Sequence, residues 1–239
     1  MKVEIIKCLE DNYSYLIIDE DSRQACVIDP SEPEPIINFV EKNNINLKFV
    51  LNTHHHFDHI GGNKDLKKKY DVKVVGFIED KNRIPEIDIS LKDKQVWKYK
   101  KFEAKIFHIP GHTRGHICFY FFKEKIIFSG DTLFSLGCGR IFEGTYQQMY
   151  ESLKKLKNLP RDTKVYCGHE YTLQNSLFCS KYDKKNKKLE KKISEINDKL
   201  KKNLPTVPST IGEELTYNIF LRAQNLEDFS KLRDLKDNS

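Results

Sequence analysis

The chain has 239 residues, of which 32% are charged and 38% hydrophobic, and its formal net charge at pH 7 is +6. This length is sufficient for one sizeable hydrophobic core and a small second lobe. No apolar run approaches the length of a membrane-spanning helix, and the start of the sequence lacks the apolar stretch and cleavage site of a signal peptide. We therefore expect a cytoplasmic protein, active as a monomer.

The first two thirds of the sequence alternate β-rich runs with helical segments. Runs at 3–6, 15–18 and 25–28 predict strands, and 33–43 predicts a helix before a strand at 49–51. The segments that follow predict a helix at 61–70, strands near 72–78, 105–109, 117–122, 125–129 and 163–167, and a helix near 145–157. Such a mixture fits two sheets covered by helices.

From about Tyr171 the β-rich runs cease. The spacing of the apolar side chains predicts one amphipathic helix, with its stripe at Leu189, Ile193, Ile196 and Leu200. Many lysines occupy its other faces between Lys181 and Lys202, and a basic helix can bind nucleic acid or an anionic membrane. Acidic residues interrupt this run, however, and lysine is abundant along the entire chain. We therefore expect neither a nucleic-acid partner nor a membrane partner.

The segment 53–59 reads THHHFDH and is the most informative part of the sequence. Imidazole and carboxylate groups suit zinc and its first-row neighbours. Alternate side chains of an extended segment share a face, so His54 and His56 can hold one ion together. Asp58 and His59 come just before Gly61-Gly62, where the chain should have turned. They therefore point elsewhere and can hold a second ion.

Three further loops place histidine or aspartate beside glycine where an apolar run ends. They are Pro110–His116, Gly130–Thr132 and Gly168–Tyr171. Such loops carry chemistry on a rigid scaffold. All eight histidines of the chain lie between positions 54 and 169, which favours a common site. The six cysteines show no CxxC spacing and are expected to be reduced.

The order THxHxDH, PGHT, GDT and GHEYT resembles the metallo-β-lactamase superfamily. Within it, the GCGRIFEGT segment at 137–145 and the GHEYT segment at 168–172 are similar to the hydroxyacylglutathione hydrolase (glyoxalase II) family. The resemblance covers nearly the whole chain. It implies an α/β fold, with an αββα metallo-β-lactamase-like catalytic sandwich in residues 1–170 and a small helical substrate-binding domain in residues 171–239.

The resemblance also implies two divalent metal ions per chain, most simply zinc, with iron or manganese as alternatives. The implied ligands are His54, His56 and His112 for the first ion, Asp58, His59 and His169 for the second, and Asp131 as a bridge between both. Asp131 and Asp58 are the implied catalytic residues, and Asp58 would orient the attacking water. Asp29 resembles the superfamily's early structural aspartate and is expected to orient metal ligands. His55, His108 and His116 are not expected to bind metal.

The family's substrate is S-D-lactoylglutathione, a thioester hydrolysed to D-lactate and glutathione in methylglyoxal detoxification. Arg140 and Arg222 are candidates for binding the glutathione carboxylates, and Tyr171 for binding its peptide backbone. The alternative for each is an ordinary surface ion pair or hydrogen bond. Phe142 and Ile219 depart from the tyrosine and proline that are usual in the family, and they affect the substrate region rather than the metal chemistry.

Other functions of the same superfamily have distinguishing features. A persulfide dioxygenase shares THxHxDH and a GCGR segment but uses a single iron, and it is expected to end before such a helical extension. A hydrolase of another thioester would keep the complete metal motif. A secreted β-lactamase needs an export signal, and a nuclease usually has an added nucleic-acid-binding domain. A metal-occupied binding protein with a basic helix would not need the full ligand set.

Overall fold

The computed structural model describes all 239 residues. The chain forms two compact units, one of Met1–His108 with Gly115–Glu124 and the other of Ile109–Arg114 with Lys125–Ser239. None of the helices combines the length and the apolar character needed to cross a membrane.

The first unit contains a six-stranded sheet in the order β1 to β6. Its strands are β1 (Lys2–Cys8), β2 (Asn12–Asp19), β3 (Gln24–Ile28), β4 (Asn46–Leu51), β5 (Lys73–Phe77) and β6 (Ile89–Leu91). β1, β2 and β3 are antiparallel, whereas β3 to β6 run parallel. The connecting helices are α1 (Pro33–Lys42), α2 (Phe57–Ile60) and α3 (Asn63–Tyr70). Ile36, Val40 and Leu66 of these helices belong to the same core cluster as the strands.

A second, antiparallel group in this unit comprises β7 (Val96–Tyr99), β8 (Phe102–His108) and β9 (Ile117–Phe121). Phe49 of β4 packs edge-on against Trp97 and Tyr99 of β7, with ring centroids 5.2 and 4.7 Å apart. These aromatic contacts join β7 to the six-stranded sheet.

The second unit contains the remaining strands and most of the helices. β10 (Ile126–Gly130) pairs parallel with β13 (Lys164–Cys167), which pairs antiparallel with β14 (Ser209–Thr210). β11 (Leu133–Phe134) and β12 (Gly137–Cys138) form a short antiparallel ribbon. The helices are α4 (Tyr146–Lys157), α5 (Thr172–Tyr182), α6 (Lys188–Lys201), α7 (Ile211–Tyr217) and α8 (Leu226–Asp237). α6 packs against α5, and Leu189 and Ile196 of its stripe are buried.

Most of the predicted elements are confirmed, but one boundary differs and several short strands were not predicted. The helix predicted at 61–70 begins only at Asn63, because Gly61 and Gly62 form the turn between α2 and α3. A Cβ atom on Gly61 would collide with the carbonyl oxygen of Ser31, so the chain packs there too closely for a side chain. The short strands β6, β7, β11 and β12 were not predicted. Nor was β14, a two-residue strand within the otherwise helical segment after Tyr171.

All six cysteines are free and buried, as expected. Burial raises the pKa of the Cys167 and Cys179 thiols to about 12. Because the thiolate is the reactive form, burial disfavours reaction of these two thiols.

Candidate metal centre

The metal-type side chains of the first unit follow the end of strand β4. His54 and His59 are fully buried, and His56 and Asp58 are partly exposed. The ring of His54 has its centroid 4.7 Å from that of His56 and 4.1 Å from that of His59. Oδ2 of Asp58 lies 3.5 Å from Nε2 of His59. The structure therefore brings these four side chains of the first unit together.

The Asp29 carboxylate contacts residues of this group. Its carboxylate accepts hydrogen bonds from the backbone N–H and the hydroxyl of Thr53, at 2.7 and 2.6 Å, and lies 3.0 Å from Nδ1 of His59. Ligand-type atoms of Asp29, His54 and His59 all lie within 4.8 Å of one another. Because both Asp29 oxygens are engaged by protein donors, we interpret Asp29 as orienting the histidines rather than binding metal.

The hydrogen bonds of this network also fix the histidine tautomers. The Thr53 hydroxyl gives its hydrogen to Asp29, so it accepts at 3.0 Å from Nδ1–H of His54. Nδ1 of His59 donates to Asp29 in the same way. In both rings the lone pair is then on Nε2, which is the form of imidazole that binds a metal.

Several neighbouring residues have other contacts. Nδ2 of Asn12 donates to the backbone oxygen and to Oδ2 of Asp58, at 3.1 and 3.0 Å, and thereby holds this carboxylate. His55 has its Nδ1 3.5 Å from Oδ2 of the buried Asp80. His116 stacks on His54 with centroids 4.6 Å apart, and His108 stacks on Phe77 at 4.6 Å.

Two histidines of the second unit, His112 and His169, lie beside one carboxylate oxygen of Asp131. Oδ2 of Asp131 lies 3.5 Å from Nε2 of His112 and 3.3 Å from Nε2 of His169. Each of these three residues is at most 6% exposed. Nδ1 of His112 donates to the backbone oxygen of Arg140 at 2.8 Å, so the lone pair of His112 faces the carboxylate. Two electron-rich groups so close together are stabilised by a cation, and this donor set fits a first-row metal ion.

The predicted substrate-binding residues have neighbours within the second unit. Tyr171 stacks on His169 with centroids 4.8 Å apart. Nε of the exposed Arg140 lies 3.2 Å from Oδ1 of Asp237, and the guanidinium of Arg222 pairs with Asp183. Both arginines thus contact a carboxylate of the chain.

Thr53 and Asn12 are site residues that the sequence analysis missed. Thr53 is the first residue of the THxHxDH motif, so its place in the motif could have indicated a role. Asn12 lies 46 positions before Asp58, and no local pattern connects the two.

Two family models together match nearly the whole chain. The metallo-β-lactamase superfamily model matches residues 10–89 and 101–169. The model described as hydroxyacylglutathione hydrolase C-terminus matches residues 170–239. The α/β fold expected from the sequence is therefore confirmed as that of this superfamily, followed by the family's C-terminal helical region.

Known proteins agree with the family models. The hydroxyacylglutathione hydrolase of Pelagibacter ubique (strain HTCC1062) is 64% identical over 238 residues, which covers 100% of both chains. That of Prochlorococcus marinus (strain MIT 9301) is 47% identical, covering 97% of this chain and 94% of the relative. The crystal structure of ETHE1 from Myxococcus xanthus matches with a TM-score of 0.76 at 25% identity, covering 98% of this chain and 90% of that one. The chain therefore belongs to the hydroxyacylglutathione hydrolase family of the metallo-β-lactamase superfamily.

Proposed function

We propose that this thioester hydrolase acts on S-D-lactoylglutathione and releases D-lactate and glutathione. The observation that carries the proposal is the 64% identity, over its full length, to a hydroxyacylglutathione hydrolase. The His/Asp groups of the two units supply the chemistry that this reaction needs. We further propose that the enzyme is a cytoplasmic monomer, and its free cysteines support a reducing compartment.

We assign the metal ligands as the family motifs indicate. His54, His56 and His112 would hold one ion, Asp58, His59 and His169 would hold a second, and Asp131 would contribute to both. Zinc is the expected metal, and iron and manganese are alternatives with the same type of ligand. When bound, two such ions lower the pKa of a water molecule and polarise the substrate carbonyl.

The protein side chains then direct the reaction. Asp58, whose carboxylate is held by Asn12, orients the attacking water and accepts its proton. Water adds to the thioester carbon, the carbon–sulfur bond breaks, and the leaving thiolate takes up a proton to give glutathione. The fixed Nδ1 hydrogen bonds of His54, His59 and His112 keep the ligand nitrogens in place, so that little reorganisation is required.

We propose that residues 1–170 form the catalytic domain and residues 171–239 the substrate-binding domain. Arg140 and Arg222 would bind the glutathione carboxylates, exchanging their present partners Asp237 and Asp183 for the substrate. Tyr171 would contact the peptide backbone. Phe142, which is 60% exposed, brings no hydroxyl group to this region.

The decisive experiment measures steady-state hydrolysis of S-D-lactoylglutathione by the purified protein, with the metal content of the same sample. We expect turnover together with about two metal ions per chain. Two bound metals without turnover would contradict the glutathione thioester as substrate and point to another thioester. A single iron with oxygen consumption on glutathione persulfide would overturn the hydrolase proposal.

A further inference from the structure

The ribbon of residues 133–138, formed by β11 and β12, is held by buried polar side chains of the C-terminal helices. Oε2 of Glu214 accepts the backbone N–H of Leu136 at 2.9 Å. Nδ2 of Asn218 donates to the backbone oxygen of Gly137 at 3.0 Å and to Glu214 at 2.9 Å. Both side chains are fully buried. Backbone groups of the ribbon are thus bound by side chains about eighty positions further along the chain.

Arg233 of α8 adds a charged contact to the end of the same ribbon. Its guanidinium donates to the backbone oxygen of Cys138 at 2.8 Å and to Oδ1 of Asp237 at 2.8 Å. It also lies over the ring of Phe220, 5.2 Å from the centroid. Only 4% of Arg233 is exposed. The same Asp237 oxygen accepts from Nε of Arg140.

Burying these groups is costly, and an apolar side chain would fill the same space more cheaply. A buried arginine that donates a hydrogen bond to one backbone carbonyl fixes the position of that carbonyl, because the hydrogen bond is directional. The buried polar contacts therefore indicate that the position of the ribbon matters, in addition to the packing of its side chains.

The two residues that follow the ribbon, Gly139 and Arg140, contact two of the proposed metal ligands. The backbone N–H of Gly139 donates to the oxygen of Thr132 at 3.2 Å. A Cβ atom on Gly139 would collide with the backbone oxygen of Asp131, and it would lie 3.3 Å from Nδ1 of His112. The next carbonyl, that of Arg140, accepts the Nδ1 hydrogen bond of His112. A shift of the ribbon would therefore displace the acceptor that orients His112.

We propose that Arg233 is a positioning residue for the metal centre. Together with Glu214 and Asn218 it holds the ribbon so that the Arg140 carbonyl fixes the His112 tautomer and ring orientation. Through Asp237 it also holds the side chain of Arg140. The C-terminal helices thereby serve the metal site as well as the substrate. This inference rests on the proposed function, because it takes His112 and Asp131 to be metal ligands.

The test replaces Arg233 by methionine and measures zinc affinity directly. Metal-free protein competes with a chromophoric chelator for zinc, and the melting temperature, kcat and KM are determined on the same preparations. We expect Arg233→Met to weaken zinc binding by about 10-fold or more and to lower kcat, which is the usual effect of losing an outer hydrogen-bond partner of a metal ligand. Lys231→Met is the matched control, since this lysine lies on the same helix with its side chain 67% exposed, and it should bind zinc as the wild type does.

Two further variants separate positioning from general stability. Val40→Ala shortens a buried side chain of the first unit and should lower the melting temperature without changing zinc affinity. Arg233→Lys keeps a single donor for the Cys138 carbonyl. Its zinc affinity should lie between those of Arg233→Met and the wild type, and below that of the wild type if Arg233→Met does not fold. Zinc affinity and kcat equal to the wild type in Arg233→Met, or in Arg233→Lys if only that variant folds, would overturn the inference. Failure of the wild type to bind zinc, iron or manganese would instead contradict the proposed function.

Discussion

At the scale of single residues, the second hydrogen bond of each histidine decides which nitrogen is available to a metal. Asp29 illustrates this, because it contacts both Thr53 and His59 and so controls two histidines at once. Its backbone has a φ of +46°, a left-handed conformation that is uncommon for residues other than glycine. Strained backbone of this kind tends to persist where function requires it.

Asp29→Asn tests the support of His59. An amide keeps the size of the side chain, but its NH₂ end cannot accept from Thr53 and His59. We expect zinc affinity to fall by about 10- to 100-fold, measured by chelator competition. Asp19→Asn is the matched control, because Asp19 bonds Ser22 and Lys101 outside the proposed ligand set. Equal zinc affinities for the two variants would contradict the orienting role of Asp29.

Asp131→Asn tests the proposed bridging ligand. The substitution removes the negative charge that lies between His112 and His169 and that would neutralise two cations. We expect a lower metal content and a loss of activity of about 100-fold or more, since a ligand to both ions is removed. His108→Ala should keep the metal and the activity, because His108 stacks on Phe77. Comparable losses in both variants would argue against the ligand assignment.

Glu214 makes stability depend on pH. Burial raises the pKa of its carboxyl group from an ordinary 4.5 to about 7. Between these two pH values the carboxyl group is therefore protonated in the folded state and ionised in the unfolded state. The contribution of Glu214 to the free energy of unfolding is therefore largest below about pH 4.5, and it is lost as the pH rises through about 7. In Glu214→Gln we expect the melting temperature to change less than in the wild type over this range. The control Glu190→Gln, at an exposed position of α6, should follow the wild-type curve.

At the scale of elements, one part of a family motif has a structural explanation. Thr145, the last residue of the EGT segment, is the N-cap of α4, and it forms a capping box with Gln148. The adjacent Gly144 lies against Gly111, and a Cβ atom on Gly144 would come within 2.6 Å of the Gly111 Cα atom. The motif therefore fixes the start of a helix next to the loop that carries His112.

Thr145→Ala should lower the free energy of unfolding by about 1 kcal/mol, because it leaves backbone N–H groups at the start of α4 without their cap. Thr145→Ser keeps the hydroxyl group and should lose much less. Denaturant titration of the two variants measures the difference. An alanine variant as stable as the serine variant would show that the capping box contributes nothing.

The elements also show how far the sequence determines the structure. Strands with continuous apolar runs, such as Ala25–Ile28, were predicted because burial alone identifies them. β7 was missed, since lysines surround its short Val96–Tyr99 segment and the contact of its Trp97 with Phe49 of another strand arises only in the folded chain. The THxHxDH motif was visible because its four proposed ligands are close in sequence, whereas His112, Asp131 and His169 were visible because each stands beside glycine where an apolar run ends. The contacts of Asn12 with Asp58 and of Arg233 with Cys138 arise only from the folded chain.

At the scale of the whole molecule, the proposed ligands are distributed over both compact units. The first unit contains the residues of the THxHxDH motif, and the second contains His112, Asp131 and His169. A ligand that binds only the folded state stabilises the parts of the protein that contact it. If each proposed ion takes ligands from both units, metal binding should stabilise both.

Removal of metal with a chelator tests this distribution. Trp97 is the only tryptophan and belongs to the first unit, so its fluorescence follows the unfolding of that unit. Far-ultraviolet circular dichroism mainly follows the helices, and α4 to α8 all lie in the second unit. We expect the chelator to lower both transition temperatures and zinc to restore them, because a ligand present at about 100 times its dissociation constant adds about 2.7 kcal/mol. A shift confined to one of the two signals would contradict a ligand set drawn from both units.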